Sequence, residues 1–505
     1  LPGPAIRDRR ATGQDSPVQM KDAWRNRALD AGSTLTGSGI AALSILGASL
    51  AMASVVWSQF APGAMSRDTL VILEQARTGL ISDGHPPAAV FLWGFLYRTF
   101  GTPGAILAFN LWLFYGGLFL LFSAAAKRAP ILAFAACLVV GLYPAHLGIA
   151  GALWIDLSFA GLLMVGIGLI ATAGNLPAGA ARTFVRGAAL LALIGGLALR
   201  HNGPPAVWPL LALWWLDPRE GVRIDKRRIV SCAAVAALAT VLAFVAIAKM
   251  SSLAVVTPKH LWRVGAVFDV AGVSVRERQY LFDDSLFPGR SLADLDFLYT
   301  PRSAEPLLTG RQVHALPPDP VLTTRQRFPV HEQTFDDRLN PVLARDWSQT
   351  ILVHPVSWLK HRFAVFQSLI TRSPWGLWGP VYGLIPDNAL GVPPRDQPVG
   401  RYFDWLQWTA NATPLFVPVG YLVICAACAL PAIREGLRHG SAEAFGAAAL
   451  FASGFAHMLG LFPFAASADF RYSHWMIICA VCGGALLTIA FVAPRQKKRL
   501  SGRQQ

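Results

Sequence analysis

IVSCAAVAALATVLAFVAIAKM, Ile229–Met250, holds a single charged residue, Lys249, one position from its end. As an α-helix rising 1.5 Å per residue the run is about 33 Å long, enough to cross the roughly 30 Å hydrocarbon core of a bilayer. Lipid offers no partner for backbone N–H and C=O groups, so a run of this kind must satisfy them within a helix. Lys226, Arg227 and Arg228 precede it, together with Arg219 and Arg223. Basic residues gathered at one end of an apolar run mark the cytoplasmic side.

The rest of the chain repeats this pattern. Apolar runs lie at about 36–60, 104–126, 130–148, 152–173, 184–199, 204–216, 412–431, 443–463 and 471–492, with a shorter one at 86–100. Of the 505 residues 54% are hydrophobic and only 14% charged, and the mean hydropathy is +0.44. Soluble domains carry about 25% charged residues, so the composition excludes a set of soluble domains. The net charge of +15 does not point to nucleic acid. It concentrates next to apolar runs and in a C-terminal cluster of Arg495, Lys497, Lys498, Arg499 and Arg503, where anionic lipid is the natural partner. The first thirty residues are polar and mixed in charge, without the apolar core of a cleavable leader.

The expected organisation is a cytoplasmic N-terminal segment (1–35), an N-terminal transmembrane module (36–250) whose first outer loop is 61–88, a large polar outer region (251–411), C-terminal transmembrane helices (412–492) and a basic cytoplasmic tail (493–505). The outer region contains Pro-rich polar sequence such as LPPDPVLTTRQRFPVHEQTFDD (316–337). With the C-terminus inside, counting crossings backwards puts 251–411, Asp156, Arg200–Asn202 and Asp469–Arg471 on the outer face, and Lys127 and Arg128 inside. An even count then requires the 86–126 region to make one full crossing plus a surface or re-entrant segment. The face that collects these polar groups has no ATP and no nucleotide sugar.

SRDTLVILEQARTGLISDGHPPAAVFLW (66–93) lies on that face and carries Asp68, Glu74, Asp83 and His85. Ionisable groups at a membrane boundary are partnered, solvated or functional, because an unpaired charge in hydrocarbon is costly. Read by itself, the stretch allows solvated loop carboxylates followed by a His-Pro-Pro helix start.

The spacing from Asp68 to Asp83-Gly84-His85-Pro86-Pro87 resembles the first outer loop of the protein O-mannosyltransferases and their bacterial relatives. These are GT-C-fold membrane glycosyltransferases that use polyprenyl-phosphate sugars. The resemblance implies that Asp68 is the catalytic base, with Asp83 and His85 shaping the pocket. The family often has Asp-Glu at the first position, whereas Thr69 follows Asp68 here. The motif covers under a tenth of the chain, and the arrangement of a large outer loop before the last helices extends the match loosely. FDVAGV (268–273) and HPVSWLKHRF (354–363) are similar to stretches of bacterial membrane proteins of this kind.

Transfer from a polyprenyl phosphate needs a base for the attacking hydroxyl and cationic donors for the leaving phosphate. LALRHNGPP (197–205) supplies Arg200 and His201, with Asn202 beside them, and SADFRYSHW (467–475) supplies Arg471 and Tyr472. Each has a plainer reading, an interfacial arginine reaching headgroups or an Asp469–Arg471 ion pair. Asp156 in LWIDLSFA (153–160) serves either as a helix-terminal partner or as a pocket residue, and His146 in YPAHLG (143–148) ranks below it. Lys360, His361 and Arg362 form either a headgroup-facing patch or part of a phosphate site. Cys425/Cys428 and Cys479/Cys482 sit in apolar runs, where thiols act as small hydrophobes, and no metal site is expected. Asn411-Ala412-Thr413 matches a glycosylation sequon at a helix entrance.

The expectation is an all-α polytopic membrane protein, a GT-C-like bundle of about 10–11 transmembrane helices in a bacterial inner membrane, its active site facing the periplasm. It would move a monosaccharide from a polyprenyl-phosphate carrier to a glycan, lipid or protein acceptor, by inverting displacement with Asp68 as general base and no cofactor. A transporter or flippase of a lipid-linked sugar is the alternative, using the same cationic grooves without a base.

Overall fold

The computed structural model describes residues 17–219, 224–310, 327–330, 335–371, 379–396 and 400–492, with side chains from residue 37 onward. The basic tail 493–505, Arg223 and residues 1–16 of the N-terminal segment lie outside the described residues. Among the described residues the structure is helical, with three isolated β-bridges and no strand.

In the N-terminal half α1 (Pro17–Phe60), α2 (Arg67–Thr78), α3 (Pro87–Phe100), α4 (Gly104–Ala126), α5 (Pro130–Gly141), α6 (Pro144–Leu147), α7 (Ile155–Gly174), α8 (Ala180–Leu199), α9 (Pro204–Leu216) and α10 (Lys226–Ala254) follow one another. The outer region contributes α11 (Trp262–Glu277), α12 (Leu292–Leu298), α13 (Glu305–Thr309), α14 (Asn340–Val353), α15 (Pro355–Ile370) and α16 (Arg401–Ala412). The chain then returns through α17 (Pro418–His439), α18 (Ala442–Gly460), a 3₁₀ turn at Phe470–Ser473 and α19 (His474–Val492).

Among the described residues eight helical segments are long and apolar enough to cross a membrane: Gly37–Phe60 of α1, α4, α7, α8, α10, α17, α18 and Phe470–Val492. The chain is an all-α polytopic membrane protein. Of the about 10–11 transmembrane helices expected, eight reach this length, and the remaining runs form shorter helices. Runs 130–148, 204–216 and 86–100 form α5, α9 and α3, of 12, 13 and 14 residues, or about 18–21 Å at 1.5 Å per residue. Pro144 starts a new short helix after α5, and Pro209 lies inside α9. The polar N-terminal segment is also helical from Pro17, continuous with the first span.

Ion pairs mark the two ends of the bundle. At one end Arg128 pairs with Glu443 at 2.9 Å, and Arg182 and Arg186 both pair with Asp217. At the other, Asp68, Asp156, Arg200 and Arg471 come together. The passages from 129 to 154 and from 203 to 217 therefore run between ends, each on a short helix. In the 86–126 region α4 makes one such passage, and α3 packs on α2 through a bond from Arg98 to the Ala76 carbonyl.

The core of the bundle is built by close helix contact. A Cβ on Gly117 of α4 would fall 2.6 Å from the Met164 backbone of α7, and one on Gly168 would fall 2.8 Å from the Gly117 carbonyl. Small residues allow this approach where lipid supplies no hydrophobic drive between helices. In contrast α10 leaves Val230, Leu238, Val241, Leu242 and Val245 exposed, as expected of a lipid-facing surface.

The outer layer is tied to the bundle through buried charge. Asp269 of α11 meets Arg362 at 2.6 Å and His361 at 3.1 Å, both from α15, and accepts a bond from Trp347 of α14. Arg362 donates to the Ala465 carbonyl at 2.8 Å, between α18 and the last span. The expected patch at 360–362 is corrected here: His361 and Arg362 are buried and serve this junction. A buried arginine needs a carboxylate and fixed acceptors, and Asp269 and Ala465 supply them.

Candidate active site

The site grows from the N-terminus of α2. Ser66 and Thr69 form a reciprocal capping box, and the Thr69 hydroxyl also donates to the Leu153 carbonyl at 2.6 Å. Trp154 donates its indole N–H to the Ser66 hydroxyl, and Ala64 pairs with Ala152. The start of α2 is thus clamped to the segment preceding α7. This gives Thr69, where the resembling family often carries Glu, a positional role. It leaves Asp68, one residue earlier, with 40% of its side chain exposed.

Arg471 donates to Asp68 Oδ2 at 2.7 Å, and the same Nη2 lies 3.2 Å from Asp469. Arg200 pairs with Asp156 and donates through Nε to Asn202 at 2.8 Å. The ring of Tyr472 sits against both guanidinium groups, 5.6 Å from Arg200 and 5.3 Å from Arg471. Trp154 covers the other side of the Arg471 charge at 5.1 Å. Aromatic faces favour such cations and keep water from them.

Burial pushes the Asp68 carboxyl up, but Arg471, His85 and Arg200 more than offset it, so it stays ionised below the ordinary aspartate value. Its place in the first turn of α2 adds the helix dipole in the same direction. Asp469 is the opposite case: burial dominates over Arg471, and its carboxyl is pushed up to about 6. His85 is held down, first by burial and then by Arg471, Lys259 and His201, against the pull of Asp68. Burial and Arg200 likewise depress His201. Both imidazoles are therefore neutral at pH 7.

Asp83 accepts from the Lys259 and His260 amides, and the His201 ring bonds its backbone. Next to this junction opens a groove of about 350 Å³. Its polar end carries Asp83, Arg200, His201 and His260, and its walls are Pro86, Pro87, Leu197, Ala198, Phe244, Ile247 and Ala248. α8, α10 and the 83–87 loop thus flank a half-open groove that is mostly apolar, with Ser251 and Ser252 also on its lining and charged groups at Asp83, Arg200 and His260.

All nine residues picked out for the site gather at this end of the bundle. Asp68, Arg471, Tyr472, Arg200, Asp156 and Asn202 form one contact network, Asp83 and His201 line the groove, and His85 lies near Asp68, Lys259 and His201. Glu74 stays apart, paired with Arg77 on the exposed face of α2. Deeper in the bundle, His146 pairs with His474 at 2.9 Å.

Comparison with family models, with curated proteins and with solved structures finds no match.

Three further residues belong to it. Asp469 shares the Arg471 charge; an Asp two residues before an Arg reads equally well as a local pair. The Lys259 side chain lies over Gly84 and acts on His85. Its signal was available, as the first cation after the apolar run of α10. Glu305, at the start of α13, faces Arg67 and Asp68, and burial raises its carboxyl. An antiparallel bridge between Ser303 and Ser467 holds it there, and no local pattern announces a bridge across more than 160 residues.

Proposed function

We propose that this chain is a GT-C-type membrane glycosyltransferase, moving a monosaccharide from a polyprenyl-phosphate carrier to a glycan, lipid or protein hydroxyl at the periplasmic face of a bacterial inner membrane. The observation that carries the reading is the groove: apolar walls run to a charged end, beside a carboxylate kept ionised by Arg471. An amphiphile with a long apolar tail and an anionic head matches that distribution.

In this reading Asp68 accepts the proton of the attacking hydroxyl. Its low basicity is not an obstacle, because the hydroxyl becomes acidic only as its bond to the sugar forms. Arg471 and Arg200 stabilise charge developing on the leaving phosphate, with His201, Asn202 and Lys259 as additional donors. Tyr472 holds the two guanidinium groups at fixed spacing, and Asp83 and His85 shape the pocket. With Asp156 held by Arg200, Asp469 by Arg471 and Asp83 by backbone amides, Asp68 is the base, which favours one inverting displacement over a double displacement through a second carboxylate nucleophile.

The test supplies labelled polyprenyl-phosphate sugars and membrane extract to the purified protein. Transfer by the wild type and its loss in Asp68→Asn support the reading. Binding of the lipid without transfer of any sugar tried would favour a transporter instead.

A further inference from the structure

One nitrogen of Arg471 serves two carboxylates, Asp68 at 2.7 Å and Asp469 at 3.2 Å. Arg200 is likewise held by Asp156. Arg200, which lines the groove, and Arg471, joined to it through the Tyr472 ring, are thus both paired with carboxylates before any anion arrives. A phosphate entering here adds negative charge to a pocket that already holds Asp68, Asp156 and Asp469, which favours protonation of one of these carboxylates.

The three are not equivalent. Asp68 keeps 40% of its side chain exposed and sits in the first turn of α2, where backbone amides favour its charge. Asp156 has Arg200 as its partner in the first turn of α7. Asp469 has 7% of its side chain exposed and precedes its helix. The groups facing it are Arg471 and Tyr472 on its own segment, Ser467 before it, Asp68 from α2 and Asp156 from α7. Two of these are carboxylates, and Arg471 is already shared.

We propose that Asp469 is the proton-accepting counter-ion of the donor site: on binding of the phosphodiester head it takes one proton from solvent, releasing Arg471 to hold the phosphate while it still orients Asp68. No bond to phosphorus or sugar changes in this step; a proton moves from water to the Asp469 carboxylate and the Arg471–Asp469 pair is replaced by Arg471–phosphate. Its carboxyl, already near 6 in the free site, is the one that an added negative charge would carry past neutrality. Asp469 is on this account a positioning residue, since it acts through Arg471. The inference rests on the lipid-phosphate reading of the groove.

The test uses a short-chain isoprenyl methyl phosphodiester, which has no group titrating near pH 7. Its binding to the full-length protein in detergent is followed by calorimetry in two buffers of different ionisation enthalpy. The wild type is expected to take up close to one proton per ligand at pH 7. Its Kd should rise about tenfold per pH unit above pH 6, levelling once the pH passes the raised value of the bound state. Asp469→Asn should bind without uptake and with a flat profile, whereas Asp469→Glu, His201→Gln and His85→Gln should keep the uptake. Wild-type binding without uptake, or uptake that persists in Asp469→Asn or disappears in a histidine variant, overturns the role of Asp469 and leaves the phosphodiester reading standing. Absence of any binding by the wild type overturns both.

Discussion

The Thr69 hydroxyl donates to the Leu153 carbonyl across 84 residues of sequence, at 2.6 Å. The same oxygen accepts from the Ser66 amide. One side chain therefore closes the cap of α2 and pins that helix to the segment entering α7, which together set the direction of Asp68. Thr69→Val keeps the shape and removes both bonds. A lost cap costs about 1 kcal/mol, and a buried carbonyl left unpaired adds about 1–3 kcal/mol. Thermal unfolding in detergent should show that loss, and any transfer activity should fall with lipid binding little changed.

Asp68→Asn should lower transfer by about 10²–10⁴-fold, the usual contribution of a positioned base, with donor affinity nearly unchanged. Because Asp68 is held below the ordinary aspartate value, the wild-type rate should have no limb from this group near neutrality. A pH–rate profile checks this: an acid limb near pH 7 that vanished with Asp68 would contradict the assignment.

Removing one partner of the buried Arg200–Asp156 pair leaves an uncompensated charge, at about 3–5 kcal/mol. Arg200→Gln should therefore destabilise the protein strongly, and Arg200→Gln combined with Asp156→Asn should recover much of the loss. Unfolding midpoints of the single and double variants measure the coupling; additive losses would count against a direct pair.

Ala248 lines the groove from the lipid-facing side of α10. Ala248→Trp should fill the groove without disturbing the charged end. Losing about 80 Å² of apolar contact costs about 2 kcal/mol, roughly thirtyfold in affinity for an isoprenoid lipid. A soluble, tail-less phosphate should bind the variant and the wild type alike.

The outer layer should loosen in acid. Burial raises the Asp269 carboxyl, but His361 and Arg362 bring it below its ordinary value, so its contribution is present above the unfolded aspartate pKa and lost as the pH falls through the folded one. Burial depresses His361, so in acid the unfolded form binds more protons there too, and stability falls as the pH drops below the ordinary histidine value. Both act in the same direction. Hydrogen-exchange protection in α11 and α15, corrected for the intrinsic pH dependence of exchange, should fall below about pH 6, and Asp269→Asn should shift that dependence.

Membrane character was legible in the sequence, because a long uncharged run can only be satisfied as a helix in lipid. The residues at the site were legible too, since Asp68, Asp156, Arg200 and Arg471 each stand at the edge of such a run, where charge is costly unless partnered. The number of full-length helices was not. An apolar run cannot say whether a proline will break it: the run at 130–148 divides at Pro144 into α5 and α6. Nor could the role of His361 and Arg362 be read: only the packing of α15 on α11 brings Asp269 to them.

The sequence by itself determined the solvent this protein folds in and which charged residues stand where its helices leave that solvent, because hydropathy acts locally along the chain. Tertiary structure alone decided the partnerships. Arg471 lies 403 residues from Asp68 and is shared with Asp469; Tyr472 touches Arg200; Lys259 meets the 83–85 loop. Electrostatic pairing depends on distance through space, and that distance is set only when the helices pack.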